Sequence, residues 1–114
     1  MQLKRVVVTG LGALTPIGSN IQEYWDALIN GKSGAAPITY YDTEKHKTKF
    51  ACEVKTFNIE DFVDRKESRR MDKFAQYAVA ASEEAIADAG ITADNVNKQR
   101  VGVIWGAGIG GLET

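Results

Sequence analysis

The chain contains one cysteine, Cys52, among its 114 residues, and therefore cannot form an intrachain disulfide. Such sparse cysteine usage is typical of proteins from a reducing compartment, so we expect a cytoplasmic protein. No apolar run is long enough to cross a bilayer, and the first residues lack the pattern of a secretory signal peptide. One cysteine and one histidine, His46, are too few for a common metal centre, and we expect neither a metal nor another cofactor.

A strong charge of either sign is also lacking, because 14 Lys and Arg stand against 15 Asp and Glu. This balance argues against a nucleic-acid-binding protein. The composition, 44% hydrophobic and 25% charged, is typical of a globular domain. The length suggests one complete domain, but the predicted core strand Val101–Trp105 leads into a glycine-rich stretch that should precede another element. We therefore expect residues 1–114 to be part of a larger domain.

Local patterns predict an α/β architecture with a mainly parallel sheet. The β-branched runs Arg5–Thr9 and Val101–Trp105 predict two buried strands. Helical spacing of apolar and small residues predicts helices over Ile21–Asn30 and Asp72–Ala89. Alternation of polar and apolar residues predicts a half-exposed strand over Lys49–Val54.

Helix ends and faces can be predicted as well. Ser19 or Asn20 can cap the first helix, and Gly31 and Gly90 stand where a left-handed residue closes each helix. The first helix has an apolar stripe, formed by Ile21, Trp25, Leu28 and Ile29. The second has a face of mostly small residues, formed by Phe74, Ala78, Ala81, Ala85 and Ala89. Small side chains allow another backbone segment to lie close to this face.

Two glycine motifs resemble nucleotide-binding loops. Gly106–Gly111 matches G-x-G-x-x-G after a predicted strand, but the acidic residue expected about 20 positions later would fall beyond Thr114. A nucleotide-binding α/β domain therefore stays a minor alternative. Gly31-Lys32-Ser33 resembles the end of a phosphate-binding P-loop, which requires a glycine at position 26, where this chain has Asp26. We reject this second motif.

Cys52 is a poor candidate for a nucleophile. His46 lies in a lysine-rich loop, and nothing in the sequence brings it to the thiol. Alternation places Cys52 on the same face as Phe50 and Val54, which predicts a buried, inert thiol. We expect His46 to be solvated.

The marked charge cluster lies at residues 65–73, which carry five positive and two negative charges. The cations are Arg65, Lys66, Arg69, Arg70 and Lys73. If the whole segment is helical, this spacing places all five along one side. The residues alone leave three functions open: a solvated face with local ion pairs, a docking site for an acidic partner, and a nucleic-acid contact.

Several segments together resemble the β-ketoacyl-acyl carrier protein synthases. The matching segments are RVVVTGLGALTPIG at 5–18, WDALINGKSG at 25–34, the Phe50–Phe57 stretch, DRKESRRMD at 64–72, AIADAG at 85–90 and GAGIGGL at 106–112. They follow the family's order along the whole chain, and the last motif together with RRMDKF at 69–74 points to the synthase II type, which elongates long acyl chains.

The resemblance implies a thiolase-like fold, an α-β-α-β-α layered sandwich, usually in a homodimer. It also implies a decarboxylating Claisen condensation that joins an enzyme-bound acyl group to malonyl-acyl carrier protein. The family's nucleophilic cysteine and two catalytic histidines lie downstream of the matched segments, and Cys52 does not match the nucleophile motif. We therefore expect residues 1–114 to contain no catalytic residue and to be inactive alone.

Two site assignments carry over from the family. Lys66, Arg69 and Arg70 match basic positions that bind the acidic face of acyl carrier protein. Ile109 matches a residue that lines the acyl pocket near the dimer interface, although ordinary interface packing explains it equally well. Two alternatives stay open for the function: a non-catalytic relative such as a polyketide chain-length factor, and a stand-alone fragment that binds the carrier protein.

Overall fold

The computed structural model describes residues 1–111, so the last three residues of the predicted domain, including Leu112 of the glycine-rich match, lie outside the described residues. The described chain contains both helices and strands. Three α-helices are present in it: α1 (Ile21–Ile29), α2 (Arg65–Ser68) and α3 (Lys73–Asp88). Strands β1 (Ala35–Pro37) and β2 (Phe50–Cys52) accompany them, with 3₁₀ turns at Ile59–Asp61 and Lys98–Arg100. The chain divides into two compact units, Ala13–Asn58 and a second unit formed by Met1–Gly12 with Ile59–Thr114.

Helix α1 begins and ends where the sequence predicts. The Asn20 side chain accepts a hydrogen bond from the Glu23 backbone nitrogen at 2.9 Å, which satisfies a donor in the first turn. Gly31 takes the left-handed conformation at φ 63°, and its N–H donates to the Leu28 carbonyl while Lys32 donates to Ala27. This is a Schellman closure of the helix. Both cap predictions for α1 are confirmed.

Strands β1 and β2 form an antiparallel pair in which Ala35 faces Cys52. The predicted strand at residues 49–54 is confirmed in its central part. Cys52 and Phe50 are exposed, however, so the prediction of a buried thiol is wrong. Alternation placed these two side chains on the same face, but both are exposed in the described structure.

The buried carboxylate of Glu53 stabilises the end of this hairpin through hydrogen bonds. Glu53 follows β2 and accepts hydrogen bonds from the Thr39 backbone nitrogen at 2.9 Å and from the Thr39 hydroxyl at 2.8 Å. These donors hold the pKa of the Glu53 carboxyl below its ordinary value, because they stabilise its charged form. Nothing in the sequence pattern indicated this pairing.

Helix α3 carries the close contact predicted for its small-residue face. A Cβ added to Gly12 would lie 2.8 Å from the Ala85 backbone nitrogen, and one added to Gly10 would lie 2.8 Å from the Ala89 Cβ. The Leu11 N–H donates to the Asp88 carboxylate at 2.9 Å. The N-terminal segment therefore lies directly on α3, and only glycine permits this approach at two positions.

The two predicted buried strands are not found among residues 1–111. Arg5–Thr9 and Val101–Trp105 form no strand there, and Val6 and Ile104 are 90% and 99% exposed. The sheet of the described chain is antiparallel, so the prediction of a mainly parallel sheet is also wrong for this part. A strand requires a partner for its backbone hydrogen bonds, and neither segment has one within the described range.

Much apolar surface is exposed. Trp25, Leu28 and Ile29 of the predicted stripe on α1 are exposed, and the buried apolar residues within positions 1–111 are Ala27, Ala80 and Ala81. Across the part of the chain that the structure describes, no helix is both long and apolar enough to pass through a membrane.

Candidate functional site

The five predicted cations surround the junction of α2 and α3, and we call them the basic cluster. Arg65 and Lys66 open α2, Arg69 caps its C-terminus, Arg70 lies in the following turn, and Lys73 opens α3. All five side chains are exposed. The cluster is therefore a solvent-facing group of charges on two helices and the turn between them.

The condition for placing all five cations along one side, a continuous helix over residues 65–73, is not met. Helix α2 ends at Ser68, and Asp72 has an extended backbone with φ −68° and ψ 160°. This extended residue interrupts the helical path between the two helices. The relative positions of the cations consequently depend on the turn at residues 69–72.

Helix α2 is short, and local hydrogen bonds hold it together. The Asp64 carboxylate accepts from the backbone nitrogens of Lys66 at 2.8 Å and Glu67 at 2.9 Å. The Ser68 hydroxyl donates to the Arg65 carbonyl at 3.0 Å. A helix of four residues gains little from its own hydrogen bonds, so the Asp64 cap is its main local support.

The electrostatics leave most of the basic cluster uncompensated. Arg65 Nε lies 3.7 Å from Glu60 Oε1, but the two side chains are 72% and 52% exposed, so this pair adds little to stability. Lys66, Arg69 and Arg70 form no ion pair with any residue in the range 1–111. Their charges are therefore available to an acidic partner.

Gln76 connects the turn of the basic cluster to α3. The Gln76 side chain is only 8% exposed, and its Nε2 donates to the carbonyls of Ser68 at 3.2 Å and Met71 at 3.0 Å. These two carbonyls belong to the residues on either side of Arg69 and Arg70. The sequence does not indicate this role, because Gln76 is one of several polar residues in an alanine-rich helix.

Ile109, the predicted pocket residue, is 78% exposed. A Cβ on the neighbouring Gly110 would lie 2.9 Å from the Phe74 ring, so the glycine-rich segment passes close to the first turn of α3. An open groove of about 320 Å³ runs along α3 and is lined by residues 78, 79, 82, 83, 86, 103 and 105. Ile109 is not part of that lining, and its role in an acyl pocket stays a prediction.

The structure does not join the cysteine and the histidine into a site. His46 is exposed, as expected, and its ring packs edge-on against Tyr41 with the centroids 5.3 Å apart. Cys52 contributes to an open cavity of about 380 Å³ with residues such as Pro16 and Leu28, and His46 is not among its lining residues. Over residues 1–111 no three side chains of His, Cys, Asp or Glu are grouped so that they could hold a metal ion.

The family model for the N-terminal domain of beta-ketoacyl synthases matches residues 3–114. The chain belongs to this family. The match covers both the basic cluster and the glycine-rich segment, and it confirms the resemblance inferred from the sequence motifs.

A curated relative is similar to this β-ketoacyl synthase segment over almost its whole length. It is 49% identical over 113 residues to the 3-oxoacyl-[acyl-carrier-protein] synthase 2 of Synechocystis sp., covering 99% of this chain and 27% of the relative. The chain therefore spans about a quarter of the length of that curated relative.

Among solved structures, the ishigamide ketosynthase/chain length factor aligns with a TM-score of 0.72 and 41% identity, over 79% of this chain and 22% of the other. A beta-ketoacyl synthase from Burkholderia phymatum aligns with a TM-score of 0.63 and 35% identity, over 82% and 23%.

Proposed function

We propose that this chain is the N-terminal part of an elongating condensing enzyme of type II fatty acid synthesis, a 3-oxoacyl-[acyl-carrier-protein] synthase 2. The observation that carries the proposal is the 49% identity to a relative of that name over 113 residues. The activity belongs to the whole protein, because the chain spans 27% of that relative. Residues 1–114 alone are expected to be inactive, since the catalytic cysteine and two histidines are expected beyond them.

The proposed reaction joins two thioesters. An acyl group is first transferred from its carrier to a cysteine thiolate of the whole enzyme, and the carrier's thiolate leaves and takes up a proton. Malonyl-acyl carrier protein then loses CO2, and the electron pair of the broken carbon–carboxylate bond forms a new bond to the acyl carbon. The cysteine thiolate leaves and takes up a proton. The products are CO2 and a 3-oxoacyl group on the carrier, so no oxidant or metal is required.

Lys66, Arg69 and Arg70 are the proposed docking residues for the acidic face of acyl carrier protein. Their exposure and their lack of ion-pair partners among residues 1–111 support this role. Complementary charge speeds encounter and fixes orientation, which suits a partner that must deliver its bound acyl group repeatedly and then dissociate. Arg65 and Lys73 flank these residues and are weaker candidates.

Ile109 is proposed to line the acyl pocket of the whole enzyme, where an apolar, β-branched side chain suits contact with a hydrocarbon chain. The proposal includes the layered thiolase-like fold, with this chain in its N-terminal half, and a homodimer that covers the apolar surface exposed here. We also propose a cytoplasmic location, on the basis of the single cysteine.

Charge reversal tests the docking assignment. We would compare the full-length protein with its Arg69→Glu/Arg70→Glu variant in titrations with acyl carrier protein at low and high salt. The matched control is Lys98→Glu/Arg100→Glu, which reverses two exposed cations in the 3₁₀ turn of the same unit. We expect the cluster variant to raise Kd about tenfold or more at low salt, with a smaller effect at high salt. Equal Kd values for the two variants would rule out the docking site.

A non-catalytic chain-length factor is the second candidate, favoured by the name of one structural relative. Turnover of acyl- and malonyl-carrier substrates by the full-length protein separates the two. Condensation with CO2 release supports the synthase. A full-length protein without a cysteine at the nucleophile position, and without turnover, supports the second candidate instead. An intact gene product near 12.4 kDa would indicate a stand-alone carrier-binding fragment.

A further inference from the structure

We propose that Gln76 is a positioning residue for the basic cluster. Its buried amide holds the carbonyls on both sides of Arg69 and Arg70, and so sets the direction in which these two charges meet the carrier protein. The inference rests on the proposed docking function of the cluster. It adds a residue that does not itself touch the partner.

The orientation of the amide follows from its neighbours. The carbonyls of Ser68 and Met71 can only accept hydrogen bonds, so the group that faces them at 3.2 Å and 3.0 Å must be the NH2 of Gln76. This group has two hydrogens, one for each carbonyl. One side chain of α3 therefore binds both residues that flank Arg69 and Arg70.

The contribution of Gln76 comes from its NH2 group rather than from its amide oxygen. Gln76 Oε1 is buried and has no hydrogen-bond partner among residues 1–111. Burying an acceptor without a partner costs free energy, and an apolar side chain of similar length would avoid that cost. Glutamine donates two hydrogen bonds to the turn from this position, which an apolar residue cannot do.

Two backbone hydrogen bonds stabilise the first residues of the turn. Arg70 N–H donates to the Glu67 carbonyl at 2.9 Å, and Met71 N–H donates to Ser68 at 3.2 Å. These bonds close the end of α2 on itself, whereas the side chain of Gln76 attaches that closed turn to α3. Without the amide, the turn can rotate about the extended Asp72 while each helix stays intact.

The test uses the full-length protein with Gln76→Met, which keeps the length of the side chain and removes both donors. KM and kcat are measured with acyl-carrier protein and with acyl-pantetheine, which lacks the carrier. The matched control is Gln22→Met on α1, where the amide bonds the exposed Asp26 side chain. We expect KM for the carrier-borne substrate to rise about three- to tenfold with little change in kcat. Kinetics with acyl-pantetheine should stay unchanged.

A second variant guards against a general folding defect. Gln76→Asn keeps the amide but is one methylene too short to reach both carbonyls, and we expect it to show the same carrier-specific rise in KM. An unchanged KM in both variants would overturn the proposal. Equal losses with carrier and pantetheine substrates in both variants would also overturn it, because Gln76 would then serve the whole fold. If Arg69→Glu/Arg70→Glu binds the carrier normally, the docking function itself fails, and this outcome is distinct from a failure of Gln76.

Discussion

The Gln76 side-chain nitrogen lies 3.2 Å from the Ser68 carbonyl oxygen, and Ser68 is the last residue of α2 while Gln76 belongs to the first turns of α3. The same nitrogen reaches Met71 at 3.0 Å. These two bonds hold the turn that carries Arg69 and Arg70, whose own side chains are exposed. The geometry of an exposed site thus depends on a buried amide.

Loss of the Asp64 cap should loosen α2. Asp64→Ala removes the acceptor for the backbone nitrogens of Lys66 and Glu67, at a cost of about 1 kcal/mol. We expect faster amide hydrogen exchange at these two nitrogens and a weaker affinity for acyl carrier protein. Asp94→Ala removes the same charge from an exposed turn and should change neither. Equal exchange rates in the two variants would contradict the capping role.

Gly12 should tolerate no side chain. Gly12→Ala places a methyl group 2.8 Å from the Ala85 backbone nitrogen of α3, and overpacking of this kind costs about 1–3 kcal/mol. We expect a clear drop in the urea midpoint of the 114-residue chain. Gly102→Ala is the control, because a Cβ there meets nothing within 4 Å. Similar midpoints for the two variants would show that the segment does not lie on α3 in solution.

Stability should depend on pH through Glu53. Because hydrogen bonds from Thr39 lower its pKa in the folded chain, the carboxylate stabilises the fold fully above its ordinary pKa. That contribution is lost as the pH falls through the lower folded value. Glu53→Gln should therefore show a smaller loss of stability between neutral and acidic pH in urea unfolding. Glu44→Gln makes the same charge change at an exposed position and should keep the original pH dependence.

The Thr39 hydroxyl provides a finer test of this pair. Thr39→Val keeps the backbone donor but removes the O–H that lies 2.8 Å from Glu53. We expect NMR titration to show the pKa of Glu53 moving upward, part of the way towards its ordinary value. Thr39→Ser retains a hydroxyl and should restore the lower pKa. An unchanged pKa in Thr39→Val would assign the shift to the backbone donor alone.

Enlarging Ile109 should restrict the acyl chain, if this residue lines the pocket as proposed. Ile109→Trp in the full-length protein adds an aromatic ring where long acyl chains are expected to pass. We expect kcat/KM for long acyl-carrier substrates to fall at least tenfold, with a smaller effect on short ones. Ile109→Val should leave this preference unchanged. An equal loss for short and long substrates would favour interface packing as the role of Ile109.

Features that depend on neighbouring residues were predictable from the sequence. Asn20 caps the start of α1, and Gly31 and Gly90 end α1 and α3, as expected. These features were predictable because caps and Schellman motifs involve residues within one turn of each other. The face of alanines on α3 also predicted that a backbone segment could lie close to it, but did not indicate which segment.

Features that depend on distant residues were not predictable from the sequence. Arg5–Thr9 has a strand-like sequence, but a strand exists only where another strand accepts its hydrogen bonds. Alternation placed Cys52 beside Phe50, but whether that face is covered is decided by elements elsewhere in the chain. The sequence identified the charged residues of the basic cluster, but their arrangement depends on the extended Asp72 and on Gln76.

The sequence by itself determined the family, the positions of the main helices and the residues of the basic cluster, because motifs, caps and charges are local properties. Only the tertiary structure decided that two helices share the cluster, that Gln76 holds its turn, and that Glu53 is bound to Thr39. The last two relationships join residues five or more positions apart through hydrogen bonds. Such bonds depend on the path of the backbone, which the residue types alone do not specify.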